Sequence, residues 1–322
     1  MAGLATPMAL RVAVTLGLPD RLLSDSVAAD QLAAELNVSP IALDLLLRHL
    51  TTLGVMQQTS TGYRTTEFGA NLCADAGNGL TNMLLHMDSA GGRAELSFVE
   101  LAHSIATGQA AYPRRYGKDF YDDIAEHPRL RESFDRQMTL RLRMQVPRIV
   151  AGFDWSRFST VVDVGGGVGT LLAAILTAHP GMHGHLVDLE ATAADARHTF
   201  SAHNLDERTE VTAGSFFDPL PAGADAYLLS DILHNWDDEH AHRILARCVE
   251  AARPTGRVLV IETVGGLGAK SEFDLSMLVL YGGRERRIDE FRTLAATHGL
   301  VLDTVTTLTH ERSLLEFQLA GQ

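Results

Sequence analysis

The stretch VVDVGGGVGTLL, at residues 161–172, constrains the fold more than any other part of the chain. An apolar run that suits a buried strand leads into closely spaced glycines and then into a run that suits a helix. Glycines at such a turn let the backbone pass close to a ligand, and the helix N-terminus supplies free N–H groups. The stretch therefore predicts an α/β domain with a small-molecule site at this turn.

Short apolar runs alternate with amphipathic stretches throughout this part of the chain. The strand candidates are TVVDV, GHLVDL, EVTAGSFF, AYLLSDIL and RVLVIET, and the helical stretches between them include TLLAAILTAHP and EHAHRILARCVEAARP. Such alternation predicts a doubly wound parallel sheet. The chain ends with LVLDTVTTLTHERSLLEFQLA, two strands joined by a polar turn without a helix between them. We therefore expect the last pair of strands to be antiparallel.

The amino-terminal part has a different pattern. A first helix is expected with Thr6 as N-cap, Pro7 in its first turn and an end near Gly17. Residues 27–72 then predict a helix, a turn, a second helix and two short strands, which is the outline of a winged helix. Its small core is expected to be leucine-rich, built from Leu32, Leu36, Leu43, Leu46, Leu47 and Leu50. Residues from about 80 to 150 are expected to be helical.

Charge argues against DNA as the partner of this winged helix. The 322 residues carry a formal net charge of -13, whereas nucleic acids and anionic membranes attract Lys and Arg. The second helix offers only Arg48 and His49 as cations. A small-molecule partner is therefore expected, with neither nucleic acid nor membrane. The cysteines, Cys73 and Cys248, give no disulfide framework and no zinc spacing, which fits a reducing cytoplasm. The apolar amino terminus lacks the basic start of a signal peptide.

The glycine spacing favours one nucleotide cofactor over another. Counted from Gly165, a dinucleotide fingerprint requires a third glycine where Thr170 stands. The tighter G-x-G-x-G form, preceded by Asp163, is the one found in S-adenosylmethionine enzymes. Asp188, at the end of the next strand, is placed to accept hydrogen bonds from ribose hydroxyls, with Glu190 as the competing acid. A glycine-rich turn in an unrelated α/β protein remains the alternative on this motif alone.

The stretch SDILHNWDDEH, at residues 230–240, concentrates histidines and acids. A metal site is not expected, because His240 and His242 point to different faces of a helix and lack ligand spacing. Asp237 and the acids after it fit a helix N-cap and first turn. His234 follows the strand AYLLSDIL at the carboxyl edge of the sheet, where open α/β sheets bind ligands. It is either catalytic or structural.

Several stretches, taken in order, resemble one family. They are FDRQM, VVDVGGGVG, DILHNWDDE, RVLVIET, DLSMLVLYGGRER and the final hairpin. From about Leu10 to its end the chain resembles the small-molecule O-methyltransferases, which include plant caffeic-acid and flavonoid enzymes and bacterial enzymes that methylate natural products. That family has a winged-helix-like dimerisation region before its cofactor domain. The resemblance implies a homodimer, with a reduced interface because the amino terminus is short for the family.

The resemblance also implies the site residues. The general base of the family is the histidine before the Asp/Asn-Trp pair, which is His234 here. Glu262 is expected to hold the proton of one ring nitrogen, and Glu285 to support the same orientation. The acceptor residues implied are Phe134, Met138, Asn235, Met277 and Tyr281. The cofactor residues implied are Asp163, Gly165, Gly167, Gly169, Asp188, Leu189, Ser215, Phe216, Ser230 and Trp236.

Three of these positions depart from the family pattern. The family's GDMF is GSFF here, so Ser215 replaces an acid and Phe216 a methionine, while Ser230 stands where the family has a lysine.

The resulting prediction is an S-adenosylmethionine-dependent O-methyltransferase acting on a phenolic or similar hydroxyl of an aromatic small molecule. Its expected fold is a doubly wound methyltransferase sheet with an antiparallel last strand, preceded by a helical winged-helix-like domain. The expected domains are residues 1–100 for dimerisation, 101–150 as a helical linker contributing to the substrate pocket, and 151–322 for the cofactor. The alternatives are a relative that has lost or changed methyl transfer, a ligand-sensing winged-helix regulator and a dinucleotide oxidoreductase.

Overall fold

The computed structural model describes residues 3–76, 85–252, 254–267 and 271–321. The chain forms two compact units: the first comprises residues 1–96 with 123–137, and the second comprises residues 97–122 with 138–322. The functional boundaries expected at residues 100 and 150 stay a prediction.

The first unit contains the predicted winged-helix pattern. Its elements are α1 (Ala5–Thr15), α2 (Leu18–Arg21), α3 (Ala29–Leu36), α4 (Pro40–Thr52), β1 (Met56–Thr59), β2 (Gly62–Thr65) and α5 (Ala90–Leu96). Strands β1 and β2 pair antiparallel. The leucines that α3 and α4 turn inward are buried together, as predicted, at Leu32, Leu43, Leu47 and Leu50. Asn37 adopts the left-handed conformation that ends α3, and the Ser39 side chain caps α4.

The predicted N-cap at Thr6 is wrong. The helix α1 begins at Ala5, with Leu4 as its N-cap residue. Pro7 is tolerated inside the first turn, because the backbone N–H that it lacks has no partner there in any helix. The Thr6 hydroxyl instead lies 3.2 Å from Nε2 of His49 on α4. A contact between two helices has therefore replaced a local cap.

Helices fill most of the described part of the stretch from about 80 to 150, as predicted, whereas residues 80–84 lie outside the described residues. They are α6 (Leu101–Thr107), α7 (Tyr112–Tyr116), α8 (Phe120–Glu126), α9 (Pro128–Arg143) and α10 (Val146–Ala151).

The second unit is built on a seven-stranded sheet. The strands are β3 (Thr160–Val164), β4 (His183–Asp188), β5 (Thr209–Ala213), β6 (Ala226–Ser230), β7 (Arg257–Glu262), β8 (Leu300–Thr307) and β9 (Ser313–Leu319). Their order is β5-β4-β3-β6-β7-β9-β8. Strands β3 to β7 are parallel, whereas β9 is antiparallel to both β7 and β8. The predicted fold class is confirmed, including the antiparallel terminal pair.

Helices cover both faces of this sheet, because successive strand residues point to opposite sides. Val162 and Val164 pack with α13 (Asp238–Ala251) and α15 (Ile288–Ala296), whereas Val161 packs with α11 (Thr170–Ala178) and α12 (Glu190–Ala202). The remaining helix is α14 (Ser271–Tyr281). No helix within the described ranges is long and apolar enough to cross a membrane.

Strands β5 and β6 end earlier than predicted. The apolar run AYLLSDIL suggested a strand through Leu233, but β6 ends at Ser230. Asp231 follows with a φ of 55°, in the left-handed region, and its carboxylate pairs with Arg312. Such a conformation interrupts a strand. Likewise β5 ends at Ala213, and Ser215 accepts a hydrogen bond from the N–H of Phe217 in the turn that follows.

Candidate active site

The glycine-rich turn connects β3 to α11 at the carboxyl edge of the sheet. Gly165, Gly167 and Gly169 have φ values of 73°, 59° and 79°, a region that residues with a Cβ rarely adopt. A Cβ at Gly165 would lie 2.6 Å from Cδ1 of Ile232, and one at Gly169 would lie 2.9 Å from Cζ of Phe200. The backbone conformation therefore favours glycine at all three positions, as the sequence predicted, and close side chains add to this at Gly165 and Gly169.

Asp188 is held against this turn. Its carboxylate accepts hydrogen bonds from the N–H of Gly167, at 2.8 Å, and from the N–H of Leu189, at 2.7 Å. A carboxylate has about four acceptor sites, so it retains capacity for ligand hydroxyls. The competing acid, Glu190, is exposed in the first turn of α12. The geometry favours Asp188 as the acid that faces a ligand at the turn.

Asp163 is a buried acid directly beneath the glycines. A Cβ at Gly166 would lie 2.6 Å from its Oδ2. In the described part of the chain, neither side-chain oxygen of Asp163 has a hydrogen-bond partner. Burial, with a smaller contribution from the charge of Asp188, raises the pKa of Asp163 to about 7. A buried polar group without a partner is costly, so this acid is available for a donor at the turn.

His234 lies in a short 3₁₀ turn, Leu233–Asn235, that follows β6. Its side chain is buried. The backbone N–H of His234 donates to Oε1 of Glu262 at 3.1 Å, and Nδ1 of its ring lies 3.0 Å from Oε1 of Glu285. Among the residues described, none forms a hydrogen bond with Nε2. Because Nδ1 is engaged and Nε2 is not, the imidazole has one nitrogen available for a ligand.

The expected roles of the two glutamates are exchanged. Glu262 was expected to hold a ring nitrogen, yet it anchors the backbone of His234, and Glu285 makes the contact with the ring. The reason is that β7 runs beside β6, so that Glu262, at the end of β7, meets the backbone that leaves β6.

Electrostatics favour a proton on this imidazole. Burial alone would lower the pKa of His234, but the hydrogen bond to Glu285 and the charge of Glu262 oppose it and raise the pKa to about 9. Burial raises the pKa of Glu262 to about 7, although the charge of His234 acts in the opposite direction. Perturbed groups that meet in one place are typical of functional sites.

A buried arginine fixes the turn that carries His234. Arg286 is 0% exposed. Its guanidinium donates to the carbonyl oxygens of Leu233 at 2.6 Å and Trp236 at 2.8 Å, and it forms an ion pair of 2.9 Å with Asp238. It therefore holds the backbone on both sides of the histidine. Arg286 belongs to the GGRER stretch that resembles the family, but no sequence pattern indicated its role.

Aromatic rings stack beside the turn. The ring of Tyr121 lies 5.7 Å from Trp236 and 5.3 Å from Tyr281 between centroids, nearly parallel to both. Its hydroxyl accepts a hydrogen bond of 3.0 Å from Nδ2 of Asn235. Trp236 also meets Phe216 edge-on at 5.9 Å. Three predicted site residues thus contact Tyr121, which sequence reasoning missed because no local pattern marks it.

The remaining predicted site residues lie on α9, α14 and β6. Met277 is buried on α14, and Met138 is half-buried on α9. Ser230 is the last residue of β6. Phe134 belongs to the first unit. The sequence also missed Phe273, whose ring centroid lies 5.9 Å from that of the His234 imidazole.

The acidic cluster forms a helix start. Asp237 caps α13 by accepting from the N–H of His240 at 2.9 Å. His242 lies instead beside His298, at 3.0 Å between ring nitrogens. Within the described residues, no group of three or more His, Cys, Asp or Glu side chains is arranged to hold a metal ion.

The sheet order, the glycine turn and the buried histidine at one edge define a methyltransferase-type α/β enzyme. Comparison with known families specifies the class further. Residues 98–301 match the O-methyltransferase domain, and residues 1–75 match the O-methyltransferase dimerisation domain. The chain belongs to the O-methyltransferase family, and the predicted enzyme class is confirmed. The winged-helix segment accordingly matches a dimerisation domain.

Individual relatives are similar over nearly their whole length. The 2,7-dihydroxy-5-methyl-1-naphthoate 7-O-methyltransferase of Streptomyces carzinostaticus is 47% identical over 94% of this chain and 91% of its own. Aclacinomycin 10-hydroxylase RdmB of Streptomyces purpurascens is 40% identical over 100% of this chain and 90% of its own. The crystal structure of the O-methyltransferase NcsB1 from neocarzinostatin biosynthesis, in complex with S-adenosylmethionine and 2-hydroxy-5-methyl naphthoic acid, superposes with a TM-score of 0.92. It is 45% identical, and the match covers 99% of this chain and 97% of that one.

Replacing Arg286 by lysine should destabilise the chain, because lysine cannot reach both carbonyls and Asp238 together. We expect the free energy of unfolding to fall by about 2 kcal/mol, the cost of leaving buried carbonyls unpaired. Arg284→Lys is the matched control, since Arg284 is 42% exposed and pairs with the same Asp238. Denaturant titration measures both. Equal effects of the two substitutions would contradict this role of Arg286.

Proposed function

We propose that the chain transfers a methyl group from S-adenosylmethionine to a hydroxyl of an aromatic small molecule in natural-product biosynthesis, with His234 as general base. The observation that carries the proposal is a buried imidazole at the same sheet edge as the glycine turn, held at Nδ1 by Glu285. Strands β3 and β6 are parallel neighbours, so the turn and the histidine follow adjacent strand ends.

The residues at the turn fit this cofactor. Asp188, positioned by the N–H of Gly167, would hold the ribose hydroxyls, and the orphaned carboxyl of Asp163 would meet a donor of the ligand. Leu189, which is 51% exposed immediately after Asp188, would cover the nucleoside together with Phe216 and Trp236. The bound cofactor supplies a methyl group on a positively charged sulfur. Ser215 and Ser230 are too short for the contacts that the family's acid and lysine imply, so neutral contacts replace charged ones.

Asp188→Ala should weaken the binding of S-adenosylhomocysteine, because two hydroxyls lose an ionised acceptor. A hydrogen bond to a charged group contributes about 1.5–3 kcal/mol, so the dissociation constant should rise at least ~10-fold. Glu190→Ala is the matched control and should bind as the parent protein does. Calorimetry measures both variants. Unchanged affinity in Asp188→Ala, with loss in Glu190→Ala, would move the ribose contact to Glu190.

The chain's own contribution to methyl transfer is alignment and proton removal. Glu285 accepts from Nδ1–H and so fixes the tautomer in which Nε2 can take the proton of the acceptor hydroxyl. The resulting imidazolium lies beside the Glu285 carboxylate, which stabilises it. Glu262 fixes the backbone of the same residue. A positively charged cofactor nearby would favour the neutral imidazole and the developing phenolate.

His234→Ala should lower the rate of methyl transfer by about 10²- to 10⁴-fold, the usual contribution of a positioned base. Cofactor affinity should stay close to that of the parent protein, since His234 faces the acceptor. His198→Ala is the control, because His198 lies exposed on α12, away from Glu285 and the turn that carries His234. Steady-state kinetics and calorimetry together separate the two effects. A near-parental rate in His234→Ala would make this histidine structural.

The acceptor is proposed to be aromatic. The naphthoate 7-O-methyltransferase and the NcsB1 complex are similar to this chain over nearly its whole length and are named for hydroxynaphthoates. Asn235, Met277 and Tyr281 lie on the turn and helix next to His234, and Met138 on α9 is proposed to complete the acceptor pocket.

A second candidate is a changed reaction with a retained cofactor. It is favoured by the 40% identity to an enzyme named as a hydroxylase. Mass spectra of products formed from S-adenosylmethionine and a panel of phenols separate the two: methyl transfer adds one CH₂ to the product mass, whereas hydroxylation adds one oxygen atom. We expect the CH₂ increment.

The proposed assembly is a homodimer built mainly from residues 1 to about 100, in the cytoplasm. Its support is the dimerisation-domain match and exposed apolar side chains in the first unit, among them Leu4, Ile41, Leu45 and Phe68. The buried free cysteines fit a reducing compartment. Light scattering at micromolar concentration should give twice the 34.9 kDa chain mass. A monomer, or salt-sensitive binding to duplex DNA, would contradict the dimer.

A further inference from the structure

One charged side chain beside the proposed base takes no part in the mechanism above. Arg141 lies in the last turn of α9. Its guanidinium carbon is 4.6 Å from the ring centroid of Phe273, and Phe273 in turn packs against the imidazole of His234. The ring of Phe273 thus contacts both the guanidinium and the imidazole.

The donors of Arg141 have no partner among the described residues. Within the described ranges, no hydrogen bond or ion pair involves its guanidinium, although it is only half-exposed. A guanidinium stacks through its face but donates in its plane, so the contact with Phe273 leaves the five N–H groups free for a planar anion.

The protein's own carboxylates nearby are already committed. Asp231 is paired with Arg312. Burial raises the pKa of Asp231, but the positive charges of Arg312, His234 and Arg141 outweigh burial and lower that pKa. Glu285 binds the His234 ring, and Asp274 accepts from the backbone N–H of Glu285 at 2.7 Å. Among the described residues, these three acids are therefore held by other partners, and none of them forms an ion pair with Arg141.

We infer that Arg141 binds a carboxylate carried by the aromatic acceptor, so the substrate class is aromatic hydroxy acids. This inference rests on the proposed methyl transfer and narrows it. The acceptor ring lies with its reacting hydroxyl at Nε2 of His234 and its carboxylate in the plane of the guanidinium. A paired, charge-assisted contact of this kind orients a flat ligand as well as holding it.

The test compares hydroxynaphthoic acids with their methyl esters, which retain the ring and the hydroxyl but lose the charge. The parent protein should prefer the acid, and Arg141→Gln should lower the ratio of kcat/KM for acid over ester by about 10- to 100-fold. Arg141→Lys should restore part of the preference. Arg143→Gln, an exposed arginine two positions further along α9, should leave the ratio unchanged. Calorimetry with protein loaded with S-adenosylhomocysteine measures how tightly the parent protein and each variant bind the acid, without turnover.

Each outcome separates the inference from the function on which it rests. If the parent protein methylates esters and acids equally well, the acidic acceptor is wrong and methyl transfer stands. If Arg141→Gln instead weakens binding of S-adenosylhomocysteine itself, Arg141 holds the carboxylate of the cofactor and the inference is overturned. If no phenol is methylated, the proposed function fails. In that case the affinities of the parent protein and of Arg141→Gln for the acid still test whether Arg141 binds the carboxylate. Equal affinities would overturn the inference as well.

Discussion

The buried guanidinium of Arg286 is the contact on which the geometry of the site depends. The turn after β6 has left the sheet, so the strand ladder no longer fixes the backbone around His234. Arg286 replaces that ladder by donating to carbonyls before and after the histidine and by pairing with Asp238 at the start of α13. Gly283 lets the segment that carries Arg286 approach, since a Cβ there would lie 2.1 Å from the carbonyl oxygen of His234. The imidazole is therefore placed by backbone contacts.

Around this fixed turn the chain tolerates buried acids that would be unfavourable elsewhere. In the described residues, Asp163 has no hydrogen-bond partner, and Glu262 and Glu285 each keep one unpaired oxygen. Burying a carboxylate without partners costs stability, so such groups are rare in structural cores. Their positions follow a pattern here: one lies beneath the glycine turn and two contact His234. A ligand that brings donors and positive charge to this edge offsets that cost, which agrees with a sulfonium cofactor.

Local signals in the sequence were sufficient for the fold and part of the site. The alternation of apolar runs with amphipathic stretches indicates the strands, and the spacing of Gly165 to Gly169 indicates the turn. Strands and turns of this kind depend on residues that are close in sequence. The resemblance added His234 and its glutamates. The rest depends on distant contacts: Tyr121 meets Asn235 across 114 positions, and Arg286 meets Leu233 across 53. The early end of β6 also involves a distant residue, since Asp231, which follows the strand, pairs with Arg312. The roles of Glu262 and Glu285 could not be distinguished without the strand order.

Glu285 fixes the tautomer of His234 and, together with the charge of Glu262, raises the affinity of its imidazole for a proton. Nuclear magnetic resonance of ¹⁵N-labelled histidine, with His234 assigned by comparison with His234→Ala, measures both directly. The account predicts that His234 in the free protein titrates near 9 rather than at the usual 6.5, that its neutral form carries the proton on Nδ1, and that Glu285→Gln lowers its pKa. A His234 that titrates like an exposed histidine, or whose neutral form is protonated on Nε2, would contradict it.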